Sequence, residues 1–254
     1  MRCCSGFCEV TQRQFNARVA VRDLARYQRK GPHATARILR ELVVSRKPMG
    51  DTLLDIGAGI GALTFELLNT RFGHAPAVDA SSAYVAAGRE ETVRRGLTHD
   101  LNWIEGDFVN LASQLMPADV VTLDRVVCCY PAYEPLLESS LDHARQMVGL
   151  SYPRDRWYVR AVIAIENAVR WLQGGAFRTF VHSPTGITAL IGTRGFRLVD
   201  RHTTLAWSID LYAKGEIATA SDEGVAMTPA SETPIARRWR LVAILQSATA
   251  ARLA

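Results

Sequence analysis

From residue 52 onward the apolar positions switch between two rhythms. Leu53, Leu54 and Ile56 form a short apolar run that suits a strand covered on both faces. Gly57, Gly59 and Gly61 then mark a sharp turn, and Leu63 and Leu67, with Ala62 and Glu66 one turn apart, open a helix with one apolar face. The alternation continues. The pattern predicts strands over 75–80, 101–105, 119–127 and 147–152, and helices over 82–95, 134–146, 157–172 and 185–195. Ser81 is placed to cap the helix that Gly96 ends. A terminal pair of strands is predicted over 196–205 and 206–212. Strands alternating with helices imply an α/β architecture, a doubly wound and mostly parallel sheet.

The flanks read differently. Residues 1–12 read as irregular. Phe15, Val19, Leu24 and Tyr27 give a loose, arginine-rich helical pattern that Gly31-Pro32 breaks, and 33–44 form a clearer helix around Ala36, Leu39 and Val43. Past residue 214 the stretch 215–233 is rich in Ala, Ser, Thr, Glu and Pro without a period and reads as a linker; 237–245 is basic and apolar. The predicted division is a basic extension over 1–34 containing a candidate lid helix around Tyr27 and Lys30, a main domain over 35–213, and a linker and tail over 214–254.

Composition narrows the class. No run of 18 apolar residues occurs in the 254, and the best stretch, 157–172, is interrupted by Arg160, Glu166 and Arg170, so no membrane span is predicted. No apolar secretory segment follows the first residues, and a cytoplasmic protein is expected. Residues 1–50 hold eleven Lys/Arg against three Asp/Glu, although the whole chain is only +5. Aromatic residues are sparse there, so the segment reads as a solvated helix face rather than a nucleic-acid foot. The five cysteines, Cys3, Cys4, Cys8, Cys128 and Cys129, lack a zinc spacing, and the first three read as reduced thiols rather than metal ligands.

The chemistry gathers at predicted strand ends. Asp55 closes the first strand, Asp79 the second, Asp107-Phe108 follows the third, and Asp124-Arg125 with Cys128-Cys129-Tyr130-Pro131 follows the fourth. Ligands of open α/β sheets bind at that edge. Asp79 suits two ribose hydroxyls, Asp107 an exocyclic amine of adenine, and the Phe108 ring a base face. Gly57-x-Gly59-x-x-Ala62 also satisfies a relaxed dinucleotide pattern, but a pyrophosphate prefers no carboxylate close by, and Asp55 lies two residues before the first glycine. Asp55 fits a ligand bearing a positive ammonium and sulfonium.

On Leu53-Leu-Asp-Ile-Gly-Ala-Gly-Ile-Gly-Ala-Leu63 and Ala77-Val-Asp-Ala-Ser81 the chain resembles the class I S-adenosylmethionine-dependent methyltransferases, over roughly 35–213. It is similar, more weakly, to the magnesium-protoporphyrin O-methyltransferase group, where His-Tyr-Pro tends to stand in place of Cys129-Tyr130-Pro131. The resemblance implies a Rossmann-like fold and S-adenosylmethionine held by Asp55, Gly57, Gly59, Gly61, Asp79, Ser81, Asp107, Phe108 and Asp124. It implies a small-molecule acceptor near Arg125, Cys129 and Tyr130, and no metal. Candidate bases are Tyr130, Asp124 and His182. Each has a plainer reading: an internal Asp124–Arg125 ion pair, buried thiols, a turn shaped by Tyr130-Pro131, an ordinary loop histidine. Two rival functions are an RNA-modifying methyltransferase using 13–47, and a non-catalytic module of the same fold.

Overall fold

The computed structural model describes residues 6–70 and 72–215, which fall within one compact unit, Met1–Gly215. In chain order the elements are α1 (Gly6–Gln14), α2 (Ala17–Lys30), α3 (Ala34–Ser45), β1 (Leu53–Ile56), α4 (Ala62–Leu68), β2 (Ala75–Asp79), α5 (Ser82–Arg95), β3 (Leu101–Glu105), α6 (Phe108–Leu111), β4 (Ala118–Asp124), α7 (Glu134–Asp142), β5 (Ala144–Pro153), α8 (Trp157–Leu172), α9 (Pro184–Thr193), β6 (Phe196–Thr203) and β7 (Trp207–Lys214). The seven strands form one sheet in the order β3-β2-β1-β4-β5-β7-β6. The first five are parallel, and β7 runs antiparallel between β5 and β6. Strand order reverses between β1 and β4, which opens a crevice at their carboxyl ends.

Both faces of the sheet are covered, so the central strands bury apolar side chains on both sides. On one face Leu53, Ala77 and Val120 pack with Leu39 and Val43 of α3, Phe65 of α4 and Val85 of α5. On the other, Leu54, Val121 and Leu123 pack with Leu136 and Leu141 of α7 and Ile187 and Ile191 of α9. The amino-terminal helices are fastened to the first face. Tyr27 Oη donates to Glu66 at 3.0 Å, Gln28 Nε2 donates to Glu91 at 2.9 Å, and the Arg95 guanidinium lies 5.1 Å from the Tyr27 ring centroid. Tyr27 is therefore a packing residue on the flank rather than a lid residue, whereas Lys30 is exposed.

Helix α8 is different. Val159 is its one buried residue, and Trp157, Val162, Ile165, Val169, Trp171 and Leu172 face outward.

Four expectations are corrected. Residues 6–14, read as irregular, form α1, with Cys8 and Thr11 buried beneath a polar sequence. Helix α7 ends at Asp142 rather than 146, because β5 already begins at Ala144, pairing with Ala118. Strand β4 ends at Asp124, and Val127–Cys129 is a short 3-10 turn. Cys8, expected as a reduced thiol, is disulfide-bonded. Cys3, Cys4 and the expected linker and tail over 216–254 lie outside the described residues.

Candidate active site at the carboxyl ends of the central strands

Four neighbouring strands, β3, β2, β1 and β4, end side by side, and each brings an aspartate to the same edge. Parallel register sets Asp55 beside Thr122. Thr122 Oγ1 donates to one Asp55 oxygen at 2.7 Å, and Thr64 Oγ1, from α4, donates to the other at 2.6 Å. Burial pushes the Asp55 carboxyl up to about 7; the two hydroxyls pull against that shift, while Asp124 and Asp79 reinforce it.

After Asp55 the chain turns through Gly57 and Gly59, both at positive φ, 64° and 59°. A Cβ on Gly57 would lie 2.4 Å from the Val126 side chain, so no other residue fits there. A Cβ on Gly59 would meet no atom nearer than the Tyr84 ring at 4.0 Å, which leaves that side of the loop open. The Gly59 N–H donates to Asp79 at 2.7 Å, and the Ser81 N–H to its other oxygen at 2.8 Å. Asp79 thus shapes the loop as well as lining it. Burial raises its carboxyl to about 6 against those two donors. Ser81 caps α5 through the Tyr84 N–H at 3.2 Å and donates to the Phe15 carbonyl at 2.6 Å.

Asp107 caps α6, accepting from the Val109 N–H at 3.2 Å and from Asn110 Nδ2 at 3.0 Å, and it also accepts from Tyr130 Oη at 2.7 Å. The Phe108 ring lies in the core, edge-on to His143 with centroids 5.5 Å apart, rather than on the rim where a base would stack. Asp124 accepts from Ser151 Oγ at 2.5 Å and Thr35 Oγ1 at 3.2 Å, and the Arg125 Nε lies 3.5 Å away. The ion-pair reading of Asp124–Arg125 is therefore realised in part.

The acceptor-side candidates also come together. Cys128 and Cys129 are free thiols whose Sγ atoms both approach the Arg125 carbonyl, at 3.5 and 3.6 Å. The His182 ring faces the carbonyls of Tyr130, at 2.9 Å, and Val127, at 3.2 Å; two acceptors require that Nε2 carry the proton. Burial lowers the His182 pKa, so the ring holds the turn as a neutral donor. Burial and Asp107 raise the Tyr130 phenol well above its ordinary value.

Sequence reasoning missed the roof. Phe7 packs on Tyr130 with centroids 4.3 Å apart, Phe15 lies between Tyr84 at 5.4 Å and Phe177 at 5.3 Å, and Tyr84 Oη donates to Asp23 at 2.7 Å. It also missed Thr35, Thr64, Thr122 and Ser151. Only Thr122 carried a sequence signal: as the fifth residue of a strand beside β1, it can share a register position with Asp55.

Among the described residues, Asp55 and Asp79 are satisfied by hydroxyls and backbone N–H groups and pair with no cation. Two buried carboxylates without a counter-charge, beside an open glycine turn, fit a positively charged nucleoside ligand. Residues 53–148 match the family described as "Methyltransferase domain".

This span is a methyltransferase domain.

The methyltransferase domain has the class I fold, and solved structures share it at low identity. Magnesium protoporphyrin IX methyltransferase from Synechocystis PCC 6803, with bound SAM, is 15% identical; the match covers 85% of this chain and 100% of that one, with a TM-score of 0.61. An O-methyltransferase family protein from Burkholderia thailandensis is 14% identical over 79% of this chain and 61% of that one, with a TM-score of 0.62. The [4+2]-cyclase SpnF is 14% identical over 84% of this chain and 98% of that one, with a TM-score of 0.61. No curated protein matches the chain in sequence. Asp55, Asp79, Asp107, Asp124 and Tyr130 lie within the matched methyltransferase span, whereas His182 and the roof residues Phe7, Phe15 and Asp23 lie outside it.

Proposed function

We propose that the chain transfers a methyl group from S-adenosylmethionine to a small-molecule acceptor. The observation that carries this is the row of aspartates at four adjacent strand ends, two of them buried without a cationic partner beside the glycine turn. Asp55 and the Gly57–Gly61 backbone would face the amino-acid end of the donor, Asp79 and Ser81 the ribose, and Asp107 the adenine amine. When bound, S-adenosylmethionine supplies an electrophilic methyl group.

The chain's own residues orient and dehydrate the reactants. Phe7 on α1 packs on Tyr130, and Phe15 in the turn before α2 packs on Tyr84, a cover that would keep water from the reacting groups. Two of the three candidate bases, Asp124 and Tyr130, are already engaged, and His182 keeps only Nδ1 for a proton. Asp124 accepts from Ser151 and Thr35; Tyr130 donates to Asp107; His182 Nε2 faces two carbonyls. This supports an acceptor atom that is already ionised near neutrality, such as a carboxylate, for which no base is needed.

A non-catalytic reading has one observation in its favour, the engagement of Asp124 and Tyr130, and the same fold in the [4+2]-cyclase SpnF goes with a name other than methyltransferase. Two measurements test the proposal. Calorimetric titration of S-adenosylhomocysteine should show binding to folded protein; its absence overturns the donor site. Formation of S-adenosylhomocysteine from S-adenosylmethionine in the presence of an acceptor distinguishes an enzyme from a binding module.

A further inference from the structure

Three basic side chains that the donor-site reading leaves unused lie on this side of the sheet edge: Arg125 adjoins Asp124, and Arg26 and His33 are near enough to feel the Arg125 charge. Arg26 Nη1 donates to the Gly31 carbonyl at 3.1 Å, which ties the last turn of α2 to the loop leading into α3. His33 ends that loop as the residue before α3, and its side chain makes no capping hydrogen bond. Two residues on, Thr35 reaches Asp124. Arg125 follows Asp124 in the left-handed region, φ 61°, and its amide donates to Ser151 Oγ at 2.8 Å. Its Nε is buried and makes no hydrogen bond, a position shared among the described side chains only by Thr11 Oγ1.

The nearby carboxylates do not use up these donors. Asp124 is satisfied by two hydroxyls, and its 3.5 Å separation from Nε falls short of a hydrogen bond. Asp23 accepts from Tyr84 and pairs with Arg22 at 3.4 Å. The arginines feel each other: burial and then Arg125 lower the Arg26 pKa, and burial followed by both arginines lowers His33 to about 3. His33 is therefore neutral near pH 7 and can donate one N–H without adding a third charge. Two guanidinium groups with idle donors, one of them a buried orphan, match the bidentate geometry of a carboxylate.

We propose that Arg26, His33 and Arg125 form a carboxylate-binding subsite next to the Asp124 end of β4. Its location relative to the donor rests on the methyltransferase reading. The carboxylate comes either from the methionine end of the donor or from an acidic acceptor, and the test separates the two.

Wild type, Arg125→Met, Arg26→Met and Arg125→Lys are titrated with S-adenosylhomocysteine and with its decarboxylated analogue. The same proteins, saturated with S-adenosylhomocysteine, are then titrated with benzoate and benzamide. Thermal melting confirms that each variant is folded, and Arg125→Lys, which keeps the charge, should recover part of the loss. A donor carboxylate is assigned if both Met variants bind S-adenosylhomocysteine at least tenfold more weakly and the decarboxylated analogue as wild type does. An acceptor carboxylate is assigned if S-adenosylhomocysteine binding is unchanged and benzoate binding falls at least tenfold, with wild type preferring benzoate to benzamide. Folded variants that match wild type in both arms overturn the subsite while leaving the donor site standing. Wild type that binds neither adenosyl compound overturns the methyltransferase reading and the subsite with it.

Discussion

The phenolic hydroxyl of Tyr130 donates to the Asp107 carboxylate across 2.7 Å, joining the turn after β4 to the end of β3. The two sides of the cleft, one assigned to adenine and the other to the acceptor, therefore share a hydrogen bond. Burial and Asp107 raise the pKa of the phenol, and we propose that Tyr130 acts as a strut rather than a base. Tyr130→Phe should change S-adenosylhomocysteine affinity by less than tenfold, in keeping with a hydrogen bond of about 0.5–1.5 kcal/mol. With an acceptor in hand, the variant should keep the wild-type pH profile of turnover. Loss of the rising limb of that profile would restore Tyr130 as the base.

Asp79 has a double task, since the same carboxylate holds the Gly59 and Ser81 amides and lines the proposed ribose site. Asp79→Ala should weaken S-adenosylhomocysteine binding at least tenfold, the loss of charge-assisted contacts of about 1.5–3 kcal/mol. Calorimetry returning equal affinities would remove Asp79 from the site.

The raised carboxyls make donor binding depend on pH in a definite direction. Asp55 titrates at about 7 and Asp79 at about 6, both lifted chiefly by burial. A cationic ligand favours the ionised forms, so the affinity for S-adenosylmethionine should rise from pH 5.5 to 7.5, with protons released on binding. Without ligand the sign reverses. The folded state holds these protons more tightly than the unfolded chain, so the contribution of these two groups to stability falls as pH rises from about 4 to about 7. Dissociation constants measured across this range, in two buffers of different ionisation enthalpy, check the first statement; a flat profile contradicts it.

Gly88 sits where α5 crosses the Trp103 ring, and a Cβ there would lie 2.2 Å from the indole. Trp103 cannot swing clear, because its Nε1–H donates to Thr92 Oγ1 at 2.9 Å. Gly88→Ala should destabilise the fold by about 1–3 kcal/mol through overpacking. Urea denaturation should show a lower midpoint at unchanged slope; an unchanged midpoint would mean that the indole relocates.

The sequence was most legible where one local pattern decided the outcome. The 14-residue run from Ser82 to Arg95 carries its own start and stop in Ser81 and Gly96, and the structure reproduces it to the residue. The glycine turn and the aspartates at the strand ends could be placed because strands in a parallel core are predominantly apolar, so a carboxylate near a strand's end stands out. Elements set by tertiary contacts were harder to read. Helix α1 has a polar sequence, and its buried face consists of Cys8 and Thr11, so periodicity gave no warning. The boundary at Asp142 depends on Ala144 finding Ala118 across the sheet, which no local window contains. The same holds for the hydroxyls of Thr64, Thr35 and Ser151, and Thr122 was legible only through its place in a strand beside β1. Each satisfies a carboxylate from another element, and a threonine in a strand is otherwise indistinguishable from a packing residue. The buried Asp210 was missed for this reason too: it becomes tolerable only when Arg201, Tyr152 and Ser208 meet it at the β5–β7–β6 end of the sheet.

Helix α8 leaves Trp157 at 81% and Trp171 at 66% exposure, while Trp103, beneath the glycine turn, is 5% exposed. Native fluorescence will thus contain a red-edge component that iodide quenches, and unfolding will move the emission maximum less than a buried set of indoles would. Melting curves read at a single emission wavelength will understate the transition. Far-ultraviolet ellipticity is the sounder readout for every variant named above.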